Sequence, residues 1–149
     1  LVKSPKLYFF DTGIICNLLN IENPGHVSFH PLKGQILESF AISELLKQRF
    51  NRGKSHNLWF WRDNTGHEID CLYDFGVTQF PVEIKSGSTI STSFTKNIEF
   101  YKKINPSCHF GAVIYGGEKT FRQNDTYFVS YKDINIFSSL DASCTLPID

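Results

Sequence analysis

Methionine is absent from the 149 residues and the chain opens on Leu1, which predicts a fragment of a longer protein. Net charge is absent too, because 15 Lys and Arg balance 15 Asp and Glu. Global electrostatics therefore does not favour a nucleic-acid partner, and any such binding needs a local patch. No run approaches the roughly 18 continuous apolar residues of a membrane span, so no membrane partner is expected. No leader pattern is visible. A Gly-x4-Gly-Lys-Ser/Thr loop is missing, so these residues are not expected to bind or hydrolyse ATP. Cysteine is sparse: Cys16, Cys71, Cys108 and Cys144 contain no Cys-x2-Cys pair. That argues against a zinc site and predicts free, mostly buried thiols of a cytoplasmic protein. Repeats and low-complexity segments are also missing. What is plentiful is apolar and aromatic. With 41% hydrophobic residues and fourteen Phe, the chain is globular, and one domain's worth of chain buries about two-thirds of its unfolded surface.

The informative stretch runs from Glu68-Ile-Asp70 to Pro81-Val-Glu83-Ile-Lys85. Asp70-Cys-Leu-Tyr alternates toward a turn at Asp74-Phe-Gly76, and Gln79–Lys85 returns from it. Residues two apart on a strand share a face, so Glu83 and Lys85 point the same way. A hairpin centred between Gly76 and Val77 sets Asp70 opposite Glu83. Opposed like charges destabilise a sheet, and a divalent cation removes that penalty. Oxygen ligands suit Mg2+, which takes one or two carboxylates and keeps water or phosphate oxygens for the rest. Lys85 suits orienting a water or stabilising negative charge on phosphorus. The plainer alternative is an Asp/Glu–Lys surface cluster on a half-exposed hairpin.

Around this hairpin, residues 5–10 read as a short strand, followed by a helix capped by Asp11 or Thr12 and running to about Leu19. Pro24, Gly25 and Pro31 predict a loop from Asn20 to Pro31, with His26 and His30 as loop histidines. Residues 33–50 carry the clearest helical period, in Ile36, Leu37, Phe40, Ala41, Leu45 and Leu46. Glu38 lies on or beside that inward face, where a carboxylate needs a partner. Two readings stay open for it: a rim carboxylate satisfied by an Arg such as Arg62, or a third metal ligand. Glu44 faces Lys47 and Gln48 and reads as surface. Lys47, Arg49, Arg52 and Lys54 close the helix. They are either favourable charge at a helix C-terminus or a strip contacting phosphates.

Asn57–Arg62 is a strand by aromatic content, with Trp59 and Trp61 expected in the core. It turns at Asn64-Thr-Gly66 into Ile69–Tyr73, completing a three-strand meander. Arg62 falls near the acidic cluster, to neutralise a carboxylate or hold a phosphate; His67 reads as structural. A helix follows over 93–104, with Phe94, Ile98, Tyr101 and Ile104 inward. Strands follow at 110–115 and 127–130, and a short helical stretch is expected near 131–140. From residue 33 the order is αβββαβ, an α/β (α+β) fold in which helices flank a mixed central sheet.

Asp70-x12-Glu83-Ile-Lys85 after an acidic helix resembles the core of the PD-(D/E)XK nuclease superfamily. The words Lys3-Ser-Pro-Lys-Leu-Tyr-Phe-Phe-Asp-Thr-Gly13, Gly34-x3-Glu38, Phe60-Trp-Arg-Asp63, Gly66-His-Glu-Ile-Asp70 and Val82-Glu-Ile-Lys85 resemble, in order, the prokaryotic domain of unknown function 4143. Ile69 stands where the superfamily's Pro precedes the Asp, a departure many members share. The resemblance implies a restriction-endonuclease-like domain over 33–149. It also implies that 1–32 is a strand, helix and loop joining it to a missing N-terminal AAA+ ATPase, where ATP would bind.

For function, the resemblance implies Mg2+- or Mn2+-dependent cleavage of DNA phosphodiester bonds. Asp70 and Glu83 hold the metal, Glu38 completes the site, and Lys85 positions water or stabilises the phosphate. Arg62, Lys47, Arg49, Arg52 and Lys54 are the candidate nucleic-acid contacts. The alternatives are a non-catalytic accessory domain of the ATPase, binding nucleic acid or protein, and a structural domain that forms a homo-oligomer.

Overall fold

The structure is a computed structural model that describes residues 5–148; Lys3 and Ser4 of the N-terminal word lie outside them. Three helices come first: α1 (Thr12–Leu18), α2 (Pro24–Phe29) and α3 (Lys33–Phe50). A meander follows, β1 (Leu58–Arg62), β2 (Glu68–Asp74) and β3 (Gln79–Lys85). Then come α4 (Lys96–Ile104), β4 (Gly111–Tyr115), β5 (Phe121–Gln123), β6 (Thr126–Ser130) and 3-10 turns over Tyr131–Ser139. The six strands form one sheet in the order β1-β2-β3-β4-β6-β5. The mixed α/β architecture is the one the residue pattern predicts.

The meander pairs antiparallel, whereas β3, β4 and β6 run parallel in the middle. Parallel strands need both faces covered, and every residue of β4 and β6 is buried. On one face Ala41, Ile42 and Leu45 of α3 pack on Val82, Ile84, Ala112 and Ile114, together with Ile134 and Phe137 from the 3-10 turns. On the other, Ile98 and Tyr101 of α4 pack on Ile69, Leu72, Val113 and Phe128. The result is three layers with β3 at the centre of the middle one.

Four local expectations need correction. Residues 5–9 form no strand; the backbone of Phe9 is satisfied instead by the Ser39 hydroxyl, which accepts from Phe9 N at 3.0 Å and donates to Phe9 O at 3.3 Å. The stretch 24–29 is helix, not loop: Pro24 sits at the first helical position, which tolerates it, and the Asn23 side chain caps it by accepting from His26 N. His26 is thus helical, and His30 is the C-cap. Trp59 is 55% exposed, and Ile104 is exposed as well; Trp61 does pack, edge-on, against Tyr101. The strand β5 was not expected; it joins β6 through Asn124-Asp125, with Asn124 at φ 56°.

Candidate functional site

The hairpin register is the one its turn predicts. Asp74 faces Gln79, Tyr73 faces Phe80, Leu72 faces Pro81 and Cys71 faces Val82. Asp70 and Glu83 are the next pair along that register. At the turn, Gly76 takes φ 87° and its N–H donates to Asp74 Oδ1, an arrangement that favours glycine.

On its other edge β2 is irregular at Asp70. Leu72 faces Trp59, but Ile69 faces Trp61, so Asp70 and Cys71 together oppose Phe60 alone. That is a β-bulge, a device that re-aims a side chain. Its effect shows in the packing. Ile69 and Leu72, three apart, lie in the same core cluster on the α4 side, which strict alternation forbids. Asp70 Oδ2 accepts the backbone N–H of Ile84 at 2.9 Å, so the carboxylate bonds directly to β3.

Two ammonium groups stand among the carboxylates. Lys85 Nζ donates to Glu83 Oε2 and lies 3.8 Å from Asp70 Oδ2. Lys6 Nζ lies 2.9 Å from Glu38 Oε1 and 3.4 Å from both Glu68 Oε1 and Asp70 Oδ1. The Tyr8 hydroxyl donates to Glu38 Oε1 at 2.7 Å. Arg62 is the cross-strand neighbour of Glu68, with Nε at 4.0 Å from its Oε2. Glu38, Asp70, Glu83 and Lys85 are therefore brought together. The partners of Glu38 are Lys6 and Tyr8, not the Arg62 that helix position suggested. Sequence reasoning missed Lys6, Tyr8 and Glu68. Each left a signal: Lys6 and Tyr8 stand in the word Lys3–Gly13, and Glu68 stands two residues from Asp70.

The basic strip is elsewhere. Arg49 Nε donates to Ser55 O and Arg52 to Ser138 O, while Lys47 pairs with Glu44 at 2.8 Å. Lys47 and Arg49 sit roughly 14–17 Å along α3 from Glu38, at 1.5 Å per residue. Holding the helix end to neighbouring backbone accounts for Arg49 and Arg52.

Electrostatically the site is short of positive charge, since Glu38, Glu68, Asp70 and Glu83 share Lys6, Lys85 and the more distant Arg62. Burial pushes the Asp70 carboxyl up, with Lys85 opposing and the Glu38 charge adding to the rise. Burial, then the Asp70 charge, push Glu83 up to about 7 against the pull of Lys85. Burial works against the Lys85 ammonium, yet Glu83 and Asp70 outweigh it and its pKa rises. Glu83 is 1% exposed; the Asn97 side chain of α4 is near enough to join Lys85 in pulling its pKa down, yet makes no hydrogen bond of good geometry to Oε1, which is left without a partner. A buried carboxylate oxygen without a partner is costly. It fits a cation that accepts carboxylate oxygens.

Among the described residues, no three His, Cys, Asp or Glu side chains are gathered as a ready-made metal cage. Mg2+ does not require one, because it is held by one or two carboxylates and keeps its waters. Asp70 and Glu83 on adjacent strands have the donor chemistry for that.

The sequence words that converge here, from Glu38 to Lys85, fall inside the match to the family described as "Domain of unknown function (DUF4143)", which covers residues 33–134. The chain belongs to the DUF4143 family. Similar chains include an uncharacterized protein of Mycobacterium tuberculosis and one of Mycobacterium bovis, each 27% identical over 124 residues, or 83% of this chain. The chain spans about a quarter (26%) of the length of those relatives. Among the described residues, no helix is long and apolar enough to cross a membrane.

Proposed function

We propose that this DUF4143 domain is nuclease-like and cleaves phosphodiester bonds, most simply of DNA, with a divalent metal at Asp70 and Glu83. The observation that carries this is the pairing of a bulge-borne Asp70 with a buried Glu83 whose Oε1 lacks a partner, next to Lys85. Mg2+ or Mn2+ held there supplies Lewis-acid polarisation and lowers the pKa of water. Glu38 supports the site from α3. Lys85 holds a water or donates to a phosphate oxygen as negative charge develops. Arg62 is half-exposed at the rim and suits a phosphate contact. Lys47, Arg49, Arg52 and Lys54 are at most peripheral contacts. In the longer polypeptide the domain works in the cytoplasm beside an N-terminal AAA+ ATPase, which carries the ATP site.

One observation favours the accessory-domain reading. Leu7, Phe10, Ile14, Leu18 and Phe29 are all exposed apolar side chains in the N-terminal segment, Ile14 and Leu18 one turn apart on α1, and exposed apolar surface suits a protein contact. The ATPase module or a second copy of the chain would be served by such a face.

The deciding experiment incubates the protein with Mn2+ or Mg2+ and labelled linear, branched and single-stranded DNA and RNA, alongside Asp70→Asn and Lys85→Ala. Cleavage that needs metal and is lost in both variants is the expected result. Metal-independent cleavage, or no cleavage together with no metal binding that depends on Asp70 and Glu83, refutes the reading and leaves the accessory domain.

A further inference from the structure

Residues 5–9 lie outside the sheet, yet they reach into the carboxylate cluster. Lys6 Nζ contacts Glu38, Glu68 and Asp70 and stands 4.5 Å from the centroid of the Phe60 ring. Phe60 is the residue opposite the Asp70 bulge. Tyr8 donates to Glu38, and Ser39 fastens Phe9 on both its N–H and its carbonyl. The segment is thus tied to α3 and β2 by side chains, with an ammonium at its working end.

We propose that Lys6 is the resting counter-cation of this site and that a divalent ion must displace it, so that Lys6 sets the metal affinity. This rests on the metal reading above. The oxygens of Asp70 decide the competition. Oδ2 is committed to Ile84 N and faces Lys85; Oδ1 is the oxygen Lys6 holds. Glu38 Oε1 is likewise held by Lys6 and Tyr8. An ion binding Asp70 through Oδ1 therefore meets the Lys6 ammonium at the same lone pairs, and like charges at that range repel strongly. The two lysines differ in freedom to yield. The Lys85 ammonium donates to the buried Glu83, whereas Lys6 contacts only the partly exposed Glu38 and Glu68 and the outer oxygen of Asp70. Glu38 and Glu68, left without Lys6, then face the incoming ion.

The test titrates Mn2+ into the metal-free protein by calorimetry, comparing wild type with Lys6→Gln, Lys6→Met, Lys6→Arg and Asp70→Asn, and with Asp70→Asn combined with Lys6→Gln. Lys6→Met keeps the stem over Phe60 should Lys6→Gln fold poorly. Lys6→Gln and Lys6→Met are expected to bind about two- to fivefold tighter, the effect of roughly one solvent-screened ion pair. Lys6→Arg, with the charge retained, is expected to match wild type. Asp70→Asn is expected to abolish binding in either background. Mn2+ should also speed hydrogen exchange at the Phe9 amide of wild type, which Ser39 holds. Unchanged or weaker affinity in Lys6→Gln and Lys6→Met, with binding still dependent on Asp70, overturns the displacement and leaves the metal site standing. Absence of Asp70-dependent binding in every protein overturns the metal site and the displacement together.

Discussion

Glu83→Gln should make the metal-free protein more stable, by an amount that grows as pH rises. Glu83 is 1% exposed, one of its oxygens has no partner, and burial with the Asp70 charge holds its carboxyl at about 7 rather than an ordinary 4.5. The folded protein therefore keeps the Glu83 proton more tightly than the unfolded chain. The sign follows from proton linkage: stability is greatest below the unfolded value, falls as pH rises from there, and levels off once Glu83 has ionised above about 7. At 1.36 kcal/mol per pH unit, that window costs the folded state about 3 kcal/mol. Gln cannot ionise and stands in for the protonated carboxyl; the ion pair with Lys85 that it forgoes already counts in the value of about 7, which Lys85 pulls down. The net expectation is a gain of about 3 kcal/mol at pH 8 and less than about 1 kcal/mol at pH 5. Asp70 is raised in the same direction, so the difference between the two proteins isolates Glu83 and its coupling to Asp70. Urea unfolding of both proteins at pH 5, 6, 7 and 8, without metal, measures it. A Gln variant destabilised equally at pH 5 and pH 8 would show that Glu83 is a structural carboxylate, and the reasoning would fail. If the gain appears, the chain retains a residue that costs it stability, as functional sites do. Added Mn2+ should then stabilise wild type and not the variant.

Two further substitutions probe how the site is supported. A Cβ at Gly116 would lie 2.5 Å from the Ser86 carbonyl oxygen, and Gly116 N donates to Lys85 O at 3.1 Å. Gly116→Ala should therefore shift the backbone at Lys85, costing about 1–3 kcal/mol in urea unfolding and weakening Mn2+ binding; wild-type values for both would contradict that close approach. Ser39→Ala removes both hydrogen bonds to Phe9 at a cost of about 1–2 kcal/mol. Hydrogen exchange should quicken at Phe9 while the α3 amides keep their protection; an unchanged Phe9 amide would mean that other contacts hold the segment.

Most of the sheet was legible because its signals are local. Asp74 and Gly76 define a turn, the turn defines a register, and that register alone sets Asp70 against Glu83 with Lys85 on the same face as Glu83. The aromatic run 57–62 and the period of α3 are equally local. The misreadings have a common origin in contacts that sequence spacing does not encode. Residues 5–9 look like a strand because they are apolar and extended, but their backbone partner is a serine side chain on α3. Pro24 and Gly25 look like a loop because the same residues that break a helix interior are tolerated at its start, given the Asn23 cap. Trp59 and Trp61 look like a core pair, but only Trp61 meets Tyr101 of α4, whereas Trp59, on the other side of the register shift against β2, is exposed.

The site itself shows the same division more sharply. The carboxylates could be found because a strand hairpin and a helical face generate them from spacing. The bulge at Asp70 could not, because an extra residue in β2 is visible only against its partner β1, where Phe60 alone faces Asp70 and Cys71. Nor could the contacts of Lys6, which lies 32 residues from Glu38 and 64 from Asp70 on a segment with no regular structure. Yet the charge imbalance was already implicit. Asp70 and Glu83 are buried beside Glu38 and Glu68, and Lys85 with the rim Arg62 leaves the four carboxylates short of positive charge, which favours a further cation. That cation could come from elsewhere in the chain or from solution. The structure places Lys6 there, at the oxygen of Asp70 that Ile84 and Lys85 leave free. Under the proposed metal reading the two sources of charge would compete for that one position, and the Lys6 substitutions measure that competition directly.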